Sequence, residues 1–175
     1  YLWGTNIFIC LIIGTIFSAI YTMRGGFTSI IRTDIIQFFL MFFGFGIMLV
    51  YLYGNYGGYS FLSSNLDNDM LSIPGKLNWS YILVWGFIAL ITFIDPSFYQ
   101  RVYSGKDQNV VKKGIYISVV FWFIFDFMSI SVGLYSAAIL PDIVYSPYLD
   151  LADFVLPPLF RAMFIIALLS VVMST

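Results

Sequence analysis

The chain is 175 residues long, 61% apolar, only 10% charged, and carries a formal charge of −1. Soluble domains run at about 45–50% apolar and about 25% charged residues, so a soluble domain of this length could not hide so much apolar surface. The composition points to an all-α, polytopic membrane protein in a lipid bilayer, and with a near-neutral charge and no basic tract nucleic acid is not expected as a partner.

Five apolar segments follow in chain order, near 2–21, 35–53, 79–94, 115–140 and 157–175. A bilayer-spanning helix needs about 20 residues. The third segment is short and is continued as a broken span to residue 103. Loops are expected near 22–34, 54–78, 95–114 and 141–156. Arg24, Arg32, Arg101, Lys106, Lys112 and Lys113 are six of the eight basic residues, and they fall on two alternate loops. Basic residues favour the cytoplasmic side, so the first and fifth spans run from outside to inside. The external loops are of a different kind. Residues 54–78 are rich in Gly, Asn, Ser and Asp, and 141–156 carry Asp142, Asp150 and Asp153 with Pro141 and Pro147. Both read as turns or short surface helices. Trp79, Tyr81, Tyr145 and Tyr148 stand where aromatic residues favour the interface.

The chain starts on Tyr1, with no basic segment ahead of the first span, and ends inside an apolar helix. Both ends are therefore expected to be truncations. There is no His, all nine acids are Asp, and Cys10 is the single cysteine. A disulfide, a His/Cys metal cluster and His-based acid–base catalysis are excluded within the chain. No carboxylate pair and no cofactor loop is present, so no enzyme and no organic cofactor are expected.

Polar groups inside the apolar spans carry the functional signal. The run from Leu156 to Met173 is followed by Ser174 and Thr175. In hydrocarbon a hydroxyl needs a partner. It can bond back to its own helix, or it can serve a hard cation, which takes oxygen ligands. The Ser174–Thr175 pair with the Val171 carbonyl supplies three such oxygens. Asp126, within FWFIFDFMSI (Phe121 to Ile130), lies about 16 Å into its helix. A charge there costs roughly 2.5–3.5 kcal/mol, which a neighbouring donor, water, a cation or a substrate ammonium must offset. Asp34 follows Thr33 at the start of the second span, where it serves either as a helix cap or as a carboxylate at the cytoplasmic mouth of an ion path. Gly86, Thr92 and Asp95-Pro96 interrupt the third span, as in the broken helices that expose backbone groups to a transported ligand; the plain alternative is a helix that ends at the proline. Gly25-Gly26 reads as a tight turn, and Gly44 and Gly46 as helix-contact positions.

Three stretches together resemble the sodium/solute symporter family: YTMRGGFTSIIRTDIIQ (Tyr21 to Gln37), DPSFYQRVYSGKDQNVVKKG (Asp95 to Gly114) and ALLSVVMST (Ala167 to Thr175). The resemblance implies a fragment of the five-plus-five inverted-repeat transporter fold, holding core helices four to eight. It implies a multi-pass protein of the cell membrane that moves a small-molecule solute with sodium as the coupling ion. By the same resemblance Ser174 and Thr175 match the hydroxyl ligands of the sodium site, and Val171 matches the residue that gives its carbonyl. Asp34 matches a carboxylate linked to sodium release toward the cytoplasm. The positions equivalent to the sugar-binding Asn, the gating Tyr and the sugar-binding Lys of the sugar-transporting members fall on Ile88, Ile91 and Trp122, so a hexose is not expected. Asp126, one turn beyond Trp122 on the same face, is placed to meet a cationic group of the solute. A second class of function is a sensor, since some histidine kinases carry a symporter-like membrane domain. Signalling domains downstream would distinguish it.

Overall fold

The computed structural model describes residues 7–140 and 146–173. Pro141, Asp142, Tyr145, Ser174 and Thr175 lie outside the described residues. Among the described residues all regular structure is helical, without a strand.

Helix α1 (Ile7–Tyr56) is continuous except at Gly26, whose φ of 56° and ψ of −156° divide it into two helices. That conformation is open essentially to glycine alone. Nothing lies within 4 Å of where a Cβ would stand, so backbone freedom rather than space requires the glycine. The expected loop over 22–34 is therefore corrected: helix resumes directly after Gly26. Arg24, Arg32, Thr33 and Asp34 are polar without breaking the helix, because at a membrane interface charged residues project from a helix as readily as from a loop.

Helix α2 (Tyr59–Asn65) and a 3₁₀ turn at Asn68–Met70 occupy the segment after α1. Helix α3 (Trp79–Ala89) continues as a 3₁₀ stretch, Leu90–Ile94, and then bends by 48° into α4 (Pro96–Tyr103). The cause is local. Pro96 has no N–H and forces Asp95 out of the helical region; Asp95 has φ −70° and ψ 122°. Asp95 then starts the next helix, its Oδ1 accepting from the Ser97 N–H at 2.7 Å. Gly86 lies inside α3 without interrupting it.

Helix α5 (Gln108–Ile139) is capped by Asp107, whose Oδ1 accepts from the N–H groups of Asn109 and Val110, both at 2.9 Å. Helices α6 (Pro147–Val155) and α7 (Pro158–Met173) each begin on proline, a residue that loses nothing at a helix start. Met23–Tyr56 and Gln108–Ile139 are long and apolar enough to cross a membrane, and the bent pair Trp79–Ile94 with Pro96–Tyr103 is a third if it counts as one span.

The described residues divide into two compact units, one holding residues up to Gly44 with those from Ala162 onward, the other Phe45–Arg161. In the larger unit Phe45, Met48 and Leu52 of α1 are buried, as are Val132, Tyr135 and Ser136 of α5 and Leu151 and Ala152 of α6. The Phe45 ring meets Phe125 and Tyr148 edge-on at 5.1 and 5.6 Å. Side chains satisfy the irregular backbone here. The Tyr135 hydroxyl donates to the Gly57 carbonyl, Ser136 Oγ to Pro147 at 2.8 Å, and the Tyr148 hydroxyl to Ser129 at 3.3 Å. Tyr148, expected as an interfacial anchor, is thus also a packing residue, and burial pushes its phenol above the ordinary tyrosine value. Arg161, in the first turn of α7, pairs with Asp153 at 3.2 Å.

In the smaller unit Gly44 lets two helices touch. A Cβ there would stand 2.2 Å from that of Ala167, with the Met163 carbonyl at 3.6 Å. Phe164, Ala167, Ser170 and Gln37 are buried in the same unit.

Candidate cation site and solute face

Asp34 lies eight residues beyond Gly26, about 12 Å into the second part of α1. The preceding Thr33 donates its hydroxyl to the Ser29 carbonyl at 2.5 Å, four residues back. Neither residue is an N-cap, so the capping explanation of Asp34 is corrected: the orphan N–H groups of this helix lie in the turn after Gly26. Asp34 is half-buried. One turn further on, Gln37 is 6% exposed, and its Oε1 is buried with no hydrogen-bond partner among the described residues. Sequence reasoning passed over Gln37 because it looked for charge. The available signal was an amide set in the apolar run from Ile35 to Phe43.

On α7, Val171 is half-buried. Ser170 is 5% exposed and spends its hydroxyl on the Ile166 carbonyl at 2.9 Å. Ser174 and Thr175, the expected hydroxyl ligands, lie outside the described residues. Since the chain has no His, oxygen atoms are the donors that this part of the molecule offers a cation.

The residues expected at the solute face fall into two pairs. Trp122 and Asp126 stand one turn apart on α5, Trp122 65% exposed and Asp126 exposed as well. Ile88 on α3 and Ile91 on the 3₁₀ stretch are 42% and 60% exposed. Leu83, Val84, Trp85 and Phe87 of α3 are exposed as well, so the surface of this helix is apolar and open on all sides. In water such a face would cost about 25 cal/mol per Å²; in a bilayer, or against further helices, it costs nothing. Ser129 donates its hydroxyl to the backbone carbonyl of Asp126 at 3.1 Å, which leaves the carboxylate outside that bond.

A helical chain with spans of this length and apolarity, a bent span at Asp95-Pro96 and a buried carboxamide beside an intrahelical Asp is an integral membrane protein with polar groups set into its spans. The chain belongs to the sodium:solute symporter family, whose model matches residues 1–175. It is 26% identical over 170 residues to the sodium/pantothenate symporter of Haemophilus influenzae, a match that covers 89% of this chain and 34% of that protein. The sodium/pantothenate symporter of Escherichia coli is 27% identical over 171 residues, covering 90% and 34%. Mouse solute carrier family 5 member 4A is 31% identical over 70 residues, covering 40% and 11%. The chain thus spans about a third of the length of the bacterial relatives. No solved structure matches it.

Proposed function

We propose that the full-length protein is a multi-pass symporter of the cell membrane that carries a small organic solute inward with sodium and performs no covalent chemistry. The observation that carries this reading is the family match along the entire chain; the intrahelical position of Asp34 supports it. In this reading the Ser174 and Thr175 hydroxyls and the Val171 carbonyl hold the ion, hard oxygens for a hard cation, and Asp34 receives it on the way to the cytoplasm. The membrane potential contributes about 2.3 kcal/mol per charge per 100 mV. Sodium binding favours the outward-open state, so solute and ion binding are linked and each strengthens the other.

Trp122, Asp126, Ile88 and Ile91 face the solute. Three of these four are apolar and supply a surface without the hydrogen-bonding groups a hexose needs. Asp126 favours a solute with a cationic group, whereas the bacterial relatives are named for pantothenate. The solute panel therefore pairs pantothenate with an amino acid and a quaternary-ammonium osmolyte. The test is uptake into proteoliposomes by the full-length protein, with and without an inward sodium gradient. The expected result is gradient-dependent uptake that fails in Ser174→Ala/Thr175→Ala. Uptake that proceeds at the same rate without sodium would overturn the symport reading.

A further inference from the structure

The turn between α4 and α5 gathers basic side chains at the foot of a long apolar helix. Residues 95–114 hold four basic and two acidic residues. Both acids are engaged at helix starts: Asp95 accepts from the Ser97 N–H at 2.7 Å, and Asp107 from the N–H groups of Asn109 and Val110 at 2.9 Å. Arg101, Lys106, Lys112 and Lys113 are all exposed. Lys106, Lys112 and Lys113 make no ion pair among the described residues. The turn also brings the cations together. A Cβ on Gly105 would stand 2.3 Å from Val111 Cγ2 and 3.3 Å from the Val102 carbonyl, so the end of α4 packs directly on the first turn of α5. Val102, Gly105 and Val111 are the half-buried inner side of that turn. Arg101, Lys106 and Lys112 are their chain neighbours and surround the contact on its outer side.

The patch sits at a defined depth. The apolar run of α5 over 115–140 is about 39 Å long at 1.5 Å per residue, more than the ~30 Å of a hydrocarbon core. Lys112 and Lys113 come just before it, at headgroup level, where long basic side chains reach for water and phosphate. Tyr99 and Tyr103 of α4 stack at 6.1 Å, Tyr103 is 82% exposed, and tyrosine favours the same level. Ile117 and Val120, one and two turns beyond Lys113, are exposed and apolar, a surface for acyl chains. A soluble acidic protein would meet the charges but not the apolar surface that continues from them; a phospholipid meets both.

We propose that the α4–α5 turn binds an anionic phospholipid headgroup of the surrounding bilayer, its phosphate held by Arg101, Lys106, Lys112 and Lys113. The site goes beyond sodium symport and holds whatever solute the protein carries. Arg offers paired N–H bonds to phosphate oxygens, and Lys supplies a point charge. Juxtamembrane clusters of this size attract anionic lipid through the summed charge.

The test is native mass spectrometry of the purified full-length protein in neutral detergent, titrated with phosphatidylglycerol or phosphatidylcholine. Wild type is expected to bind phosphatidylglycerol the more tightly. Arg101→Gln/Lys106→Gln/Lys112→Gln/Lys113→Gln is expected to weaken phosphatidylglycerol roughly tenfold and to leave phosphatidylcholine unchanged. Lys112→Gln/Lys113→Gln is expected to weaken it several-fold, whereas Arg24→Gln/Arg32→Gln, with two charges removed elsewhere, binds like wild type. Unchanged phosphatidylglycerol affinity in the four-charge variant would overturn the inference. So would an equal loss in Arg24→Gln/Arg32→Gln, which would mean a diffuse effect of charge. If the four-charge variant does not fold, the two double variants decide on the same terms. Glycerol phosphate, which lacks acyl chains, is expected not to displace the lipid at equal concentration; displacement would overturn the bilayer as the source.

Discussion

Replacing Gly44 with alanine tests the close contact between α1 and α7 at Ala167. The added Cβ would stand 2.2 Å from that of Ala167, where carbon atoms settle at about 3.5–4.0 Å. The two helices must separate or tilt to admit it, and overpacking of this kind costs about 1–3 kcal/mol. Alanine gains roughly 1 kcal/mol over glycine in a helix interior, so Gly44→Ala is expected to lose up to about 2 kcal/mol net. The reciprocal change Ala167→Gly removes the methyl group that clashes. With both changes the next atoms to the new Cβ are the Met163 carbonyl at 3.6 Å and the Ala167 Cα at 3.7 Å, which are ordinary contacts. The propensity terms then cancel, and the double variant is expected within about 0.5 kcal/mol of wild type. Equilibrium or thermal unfolding of the full-length protein in detergent gives the four corners of the cycle, with an expected coupling of about 1–3 kcal/mol. A coupling near zero, or a double variant no more stable than Gly44→Ala alone, would refute the close approach.

Asp34→Asn removes charge with little change of shape and is expected to raise the sodium concentration for half-maximal uptake several-fold, with the solute KM at saturating sodium unchanged. Asp126→Lys is expected to abolish uptake of a solute bearing a cationic group; unchanged KM and Vmax would remove Asp126 from the solute path. Tyr135→Phe leaves the Gly57 carbonyl without its phenol donor and is expected to lower stability by about 1–3 kcal/mol. Its transport kinetics should stay at wild-type values, and altered kinetics at full stability would contradict a purely structural role.

The long apolar runs were legible because bilayer helices need uninterrupted apolar length, and α5 lies where its run predicts. The bend at Asp95-Pro96 was legible because proline and the residue before it have few conformations. The segment 22–34 was misread for an equally physical reason. Two glycines, two arginines and a Thr-Asp pair look like a loop in water, yet only Gly26 departs from helix. Arg161 went unremarked inside an apolar stretch; its partner Asp153 lies eight residues earlier, across the Leu156–Pro157 junction, and no local pattern announces such a pair. Gln37 is illegible without burial, because an amide within a span is costly only when its oxygen has no partner.

The correction at 22–34 changes what Asp34 means. As an N-cap it would be explained by four orphan N–H groups and a helix dipole, and nothing further would follow. Inside the helix those N–H groups are already bonded to carbonyls four residues back, so the carboxylate owes its place to something other than the helix start.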